Sequence, residues 1–337
     1  MRNMHPTALR RTIFFTVVGT LLVIGMLIGV AVGPVDFSVR EVIATLFRPE
    51  SGLEPGLAHS IIWNLRLPRM LMGLLIGAAL ATAGANLQAV LGNPLADAGI
   101  IGVSSGGALA AMVLLMLFPA LAAYVPPAAF LGSFVAAALV YALAWKGGVH
   151  PLRIILAGVA VNSLLGAFMS ILNVLFSERV QMVVGWLAGS LTGRGWPHLQ
   201  LAGPYLVVGL LLSLTQARTL NVLLLGDEVA TSLGLNVNWA RLRLTALAAL
   251  LAGSAVSVVG LLGFVGLVVP HVVTLLIGSD YRFKLPGSLL LGGALVIVAD
   301  TVARTAFDPI ELPVGVLMAA LGSPFFLYLL RKGIRNQ

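Results

Sequence analysis

Between Thr12 and Val32 the chain carries no charged residue, and stretches of the same kind recur all the way to its end. At 1.5 Å per residue such a run crosses a hydrocarbon core of about 30 Å as a helix, and inside lipid only helices or closed barrels satisfy their own backbone. Further apolar runs lie near 66–86, 99–118, 124–145, 153–175, 199–216, 241–262, 264–278, 285–303 and 313–331, which makes about ten. The residues are 59% hydrophobic and 9% charged, with a mean hydropathy of +1.03, where soluble domains carry about a quarter charged residues. The expected fold is therefore an all-α polytopic membrane protein forming a single domain over 1–337. Its first half runs to about 216, a polar connection covers about 217–240, and the second half covers about 241–337.

The first run reads as a retained span, because it is longer than a signal-peptide core and lacks a clear small-residue cleavage site. The segment from Gly33 to Trp63 is polar and is expected to hold a short helix outside the membrane. With no cysteine, disulfides and Cys-based metal sites are excluded. The net charge of +8 is spread thinly between apolar runs, which argues for topology and against nucleic acid. Ten spans put both termini on one side. That side would hold Arg2, Arg10, Arg11, Lys146, Arg153, Arg218, Arg241, Arg243, Arg282, Lys284, Arg331, Lys332 and Arg335; the other would hold Arg40, Arg48, Arg66, Arg69, Arg179, Arg194 and Arg304. The larger share marks the cytoplasmic side, so the N- and C-termini are expected inside.

The segment Leu223–Val237 is a polar island on that same side. It reads as one very short helix, with Asp227 at the N-cap, Glu228 in the first turn, Val229 and Leu233 on one face and Gly234 at a left-handed stop. A helix so short needs a surface to lie on, either its own chain or a partner. Around it the chain repeats itself. Gly77, Gly84 and Pro94 recur at the same spacing as Gly253, Gly260 and Pro270, each set preceded by Leu-Arg-Leu, at Leu65–Leu67 and at Leu242–Leu244. An odd number of crossings between the copies makes the repeat inverted, as in many transport proteins.

No catalytic set emerges. The histidines His5, His59, His150, His198 and His271 show no ligand spacing, and no Gly-rich phosphate loop is present. Asp300 and Arg304 lie four apart and could pair across one turn, Glu311 precedes Pro313 in the last loop, and polar residues inside spans, such as Asn86, Gln88, Asn162 and Asn173, are largely uncharged. A passive conduit fits this better than an ion relay, which places charges inside spans, or an intramembrane enzyme, which needs paired catalytic side chains there. Gly92–Asp97 breaks the helix between two spans and must face protein or water.

Several passages resemble the FecCD family of ABC-importer permeases: LRLPR at 65–69, GAALATAGANLQAVLGNPLADAGIIGVSSGG at 77–107, LAGVAVN at 156–162, LGDEVATSLGLNV at 225–237, GFVGLVVPHVV at 263–273 and ADTVARTAFDPIELPVGVLMAALGSPFFLYLL at 299–330. Two positions depart from it: Gly92 and Thr274 stand where the family often has arginine. The resemblance implies ten spans per subunit in a homodimer of twenty and a multi-pass location in the bacterial cytoplasmic (inner) membrane. It also implies two ABC ATPase subunits in the cytoplasm that bind the ATP and Mg, leaving no cofactor on this chain, and a soluble or lipid-anchored binding protein outside. Asp227, Glu228, Val229, Ala230, Thr231, Ser232, Leu233 and Gly234 match the coupling helix that docks in the ATPase. Arg66, Arg69 and Arg304 match arginines that receive the binding protein, and Asn93 and Leu95 match a cytoplasmic gate. The implied cargo is a bulky metal chelate, a ferric siderophore or haem first and cobalamin next.

Overall fold

The computed structural model describes residues 8–47, 56–307 and 310–334. Arg2, His5, Arg48 and Arg335 lie outside them. The described residues form fourteen helices and no strand. In chain order these are α1 (Ala8–Ala31), α2 (Val39–Phe47), α3 (Leu57–Leu91, π-helical over Ser60–Arg66), α4 (Val103–Leu117), α5 (Val125–Ala144), α6 (Pro151–Leu175) and α7 (Val180–Leu187). The second half adds α8 (Trp196–Thr215), α9 (Ala217–Leu223), α10 (Asp227–Ser232), α11 (Val237–Val259), α12 (Val265–Ile277), α13 (Tyr281–Thr305) and α14 (Val314–Ile334). The helix expected between Gly33 and Trp63 is α2. A capping box starts it: the Glu41 carboxylate accepts from Ser38 N at 2.8 Å, and Ser38 Oγ accepts from Glu41 N at 3.2 Å.

The apolar runs resolve into two classes. Helices α1, α3, α5, α6, α8, α11 and α13 are long and apolar enough to cross a membrane, whereas α4 and α12 are shorter; α14 has 21 residues. The 13 residues of α12 reach only about 20 Å, short of a core of about 30 Å. The shortfall has a local cause, because α4 follows the irregular segment 92–102 and α12 the break at 260–264. Backbone so deep must be covered by protein, and it is: a Cβ on Gly158 would meet the carbonyl of Ile100, and a Cβ on Gly260 that of Trp186.

Helix α3 is the centre, with 83% of its apolar window buried; α6, also long and apolar, has 17%. Small residues make the difference. A Cβ on Gly77 would strike the carbonyl of Gly292 in α13, and one on Gly84 that of Gly266 in α12, so these backbones touch directly. The C-terminal end of α3 (Gln88, Ala89) and the N-terminal end of α11 (Arg241) border one cavity, so the two helices run in opposite directions. Gly77 faces α13 of the second half while Gly253 faces Ser133 in α5 of the first, an exchange that suits an inverted pair. The rest of the spacing does not carry over. Gly84 is inside α3 but Gly260 lies beyond the end of α11, and Pro94 sits in a turn but Pro270 is within α12.

Candidate functional site

Helix α10 is positioned by both of its ends. Gly226, with φ of +90°, is the residue that precedes it, so Asp227 is the first helical residue and not the N-cap expected from the sequence. Its carboxylate instead grips Arg241 on α11 through two hydrogen bonds of 2.8 and 2.9 Å. Arg241 in turn donates to the Val149 carbonyl at 2.9 Å, which ties α10 to the turn before α6. The other end closes as expected at Gly234, whose φ is +83°. Leu235 N donates to the Ala230 carbonyl at 3.0 Å and Gly234 N to the Thr231 carbonyl at 2.9 Å, which is the Schellman pattern. Thr231 and Ser232 turn their hydroxyls back onto the carbonyls of Asp227 and Glu228.

Besides the exposed polar residues Asp227, Glu228, Thr231 and Ser232, α10 shows two aliphatic side chains to its surroundings. Ala230 is fully buried against the chain, while Val229 is 47% and Leu233 63% exposed, on one face. A pinned helix that presents two aliphatic side chains is shaped to be held by something outside this chain. The supports beneath it are amides. Asn221 Nδ2 donates to Asp280 at 2.8 Å while its Oδ1 accepts from Tyr281 N at 2.9 Å, which fastens α9 to the start of α13. Asn238 Oδ1 accepts from Val149 N at 3.0 Å.

Behind α10 lies a cavity of about 420 Å³, bordered by Gln88, Asn93, Asp227, Arg241, His271 and Lys284 among others. Lys284 is buried and donates to Gln88 Oε1 at 3.2 Å and to the Tyr281 hydroxyl at 3.4 Å. Asn93, expected at a gate, accepts from Leu95 N at 2.9 Å and so stiffens the turn; both residues are half-buried. Sequence reasoning placed Arg241 and Lys284 only as topological charges and missed their roles here. The signal for Arg241 was the acid at the start of the island and an arginine one turn into the next helix.

The opposite end of the bundle gathers Arg66, Arg69 and Arg304 around one cleft of about 380 Å³, with Thr192, Arg194 and Glu311. All three arginines are buried, at 5%, 8% and 4% residue exposure, and engaged within the chain. Arg66 donates to the carbonyls of Val30 and Ala31 at 2.8 Å each, closing the end of α1. Arg69 forks onto Asp300 at 2.9 and 3.0 Å and reaches Glu311 at 3.0 Å. Arg304 donates to the Gly29 carbonyl at 2.6 Å. The pairing of Arg304 with Asp300 across one turn is therefore not what forms. Asp300 faces α3, where Arg69 offers the planar fork that fits both carboxylate oxygens. Burial alone would raise the Glu311 pKa, but the bond and charge of Arg69, the Thr192 hydroxyl and the Arg304 charge outweigh it and hold it below its ordinary value.

Comparison with known proteins places this architecture. A solved structure, of a metal-chelate type ABC transporter in an inward-facing conformation, superposes with a TM-score of 0.84 at 30% identity, covering 95% of this chain and 99% of that one. The cobalamin import system permease protein of Halobacterium salinarum is 46% identical over 279 residues, 82% of this chain and 75% of that protein. The hemin transport system permease protein of Yersinia pestis is 42% identical over 80% of this chain and 83% of its own length. An Fe(3+)-citrate import system permease protein of Bacillus subtilis matches at 37% over 98% and 99%. The model of the FecCD transport family matches residues 21–332, and the chain, an integral membrane protein, belongs to that family.

Proposed function

We propose that this chain is the membrane-spanning permease subunit of an ATP-driven importer that passes a bulky metal chelate into the cytoplasm. The observation that carries the reading is α10: a helix of 6 residues, clamped by Arg241 and a Schellman stop, with Val229 and Leu233 facing outward. It is the coupling helix, and the cleft of a cytoplasmic ABC ATPase takes its apolar face. ATP and Mg are bound by that partner. The α10 end is the cytoplasmic end, in accord with the weight of positive charge assigned there. Helices α4, α12 and α14 complete ten spans, and the irregular segments before α4 and α12 supply the depth that those two lack. Two copies form the working dimer.

The arginine end then faces outward and receives the binding protein. Arg66, Arg69 and Arg304 serve this docking through the positive field of their cleft, since the fork of Arg69 is already filled by Asp300. The turn of Asn93 and Leu95 borders the cytoplasmic cavity and forms the gate, and the cycle is alternating access between the two ends. The names of the relatives, for ferric citrate, hemin and cobalamin, support a metal chelate as the cargo class.

Leu233→Asp puts a charge on the exposed face of α10 without touching its clamp. Uptake into liposomes carrying the full complex is expected to fall at least tenfold, with the unfolding midpoint of the permease unchanged. Uptake at the normal rate would refute the coupling assignment.

A further inference from the structure

Two cavities of about 270 Å³ each lie end to end on the flank of the bundle, sharing Pro126 in their walls. The first sits where helices end: one side of the short α7 (Met182, Trp186), the start of α5 and the start of α8 enclose it together with Arg194 and His198. The second runs down the groove between α5 and α8, floored by Ala202, Ser254 and Ser257 and walled by Phe130, Leu131, Leu201 and Tyr205. Leu131 is 61% and Tyr205 56% exposed, on faces of two apolar spans. From His198 to Tyr205 the helical rise carries the groove about 10 Å deeper.

The upper cavity is rich in donors and poor in acceptors. Arg194 Nε is buried without a partner, and none of the ion pairs formed among the described residues includes Arg194. Its Nη1 points at His198 Nε2, 3.2 Å away, while the Gly195 N–H points at His198 Nδ1, 3.4 Å away. A neutral imidazole accepts at only one nitrogen, so one ring N–H faces another donor. No carboxylate lines either cavity. A cation short of acceptors, a tryptophan at the level of the helix ends and an apolar slot below them match, part for part, a phosphate, an interface and a hydrocarbon tail.

We infer that this flank is a binding site for a phospholipid with an anionic headgroup, whose phosphate meets Arg194 and His198 and whose acyl chain lies in the groove between Phe130, Leu131 and Tyr205. The site belongs to the leaflet at the arginine end. An apolar groove in a bilayer gains little from a chain that is already in hydrocarbon, so the headgroup supplies the preference. A zwitterionic lipid brings a cation for which the lining has no acceptor.

Native mass spectrometry of the purified permease, titrated with phosphatidylglycerol or with phosphatidylcholine of the same chains, tests this. Phosphatidylglycerol should be retained several-fold more strongly, and Arg194→Gln should erase the difference. Leu131→Trp, at an exposed position on the groove wall, should weaken retention of both lipids while the unfolding midpoint holds, which covers the case in which the arginine variant fails to fold. Equal retention of the two lipids by the unaltered protein would overturn the inference, as would a preference that survives Arg194→Gln. An Arg194→Gln that leaves lipid retention alone but weakens capture of the binding protein would overturn it in favour of a docking role for that arginine.

Discussion

The two ends of this molecule use the same chemistry, arginine on carboxylate, to opposite effect. At the arginine end Arg69 and Asp300 bury their charges, with side-chain exposures of 10% and 1%, and the pair locks α3 to α13. At the α10 end Arg241 is buried, at 7%, but its partner Asp227 is 49% exposed. The first pair fastens two core helices to each other; the second holds a small external helix by one edge and leaves its apolar face free. An ion pair thus says little about its purpose until the burial of each partner is known.

The contrast can be broken, and the largest effect should come from Asp300→Ala. It strands a buried guanidinium, so unfolding in detergent micelles should become easier by about 3–5 kcal/mol. A loss below about 1 kcal/mol would mean that Glu311 alone satisfies Arg69. Asp227→Asn should cost only about 0.5–1 kcal/mol by the same assay, because solvent screens its carboxylate and Val149 still receives Arg241. Should the two substitutions cost the same, the difference between the ends is illusory. The Asp227 variant should nonetheless slow uptake, since α10 loses its clamp. Equal rates of uptake would show that the Schellman stop holds α10 unaided.

The smallest effect is a matter of pH. The pKa of Glu311 is lower in the folded protein than its ordinary value of 4.5, so its contribution is full well above that value and is lost as pH falls through the folded pKa. Stability measured from pH 6 downward should therefore decline more steeply in the native protein than in Glu311→Gln. Identical slopes would place the Arg69 bond to Glu311 among contacts with no energetic weight.

Much of this was legible in advance. Apolar runs announced the long helices within a few residues, except that α3 begins nine residues before its run, because hydropathy and length are what lipid selects for. Gly234 marked the end of α10, since its φ is one that side chains resist. Hydropathy divided α11 from α12 but missed the length of the break, as 260–264 is itself largely apolar; only its backbone departs. The partner of Asp300 was hidden for another reason. Helical spacing nominates Arg304, one turn away, but Arg69 stands 231 positions off and is brought near only by the packing of α3 on α13. For the same reason the bonds that Arg66 and Arg304 make within the chain were not foreseen, and the carbonyls of Val30 and Gly29 that receive them carry no sequence signature.

The glycine contacts of α3 reach beyond packing. Where backbone lies on backbone there is no flexible side chain to yield, so α3, α12 and α13 have no slack between them and must travel as one block. Any cycle of opening and closing then draws its movement from pieces with few neighbours, of which α6 is the barest. A probe on α6 should report large displacements while one across the Gly84 and Gly266 seam stays silent.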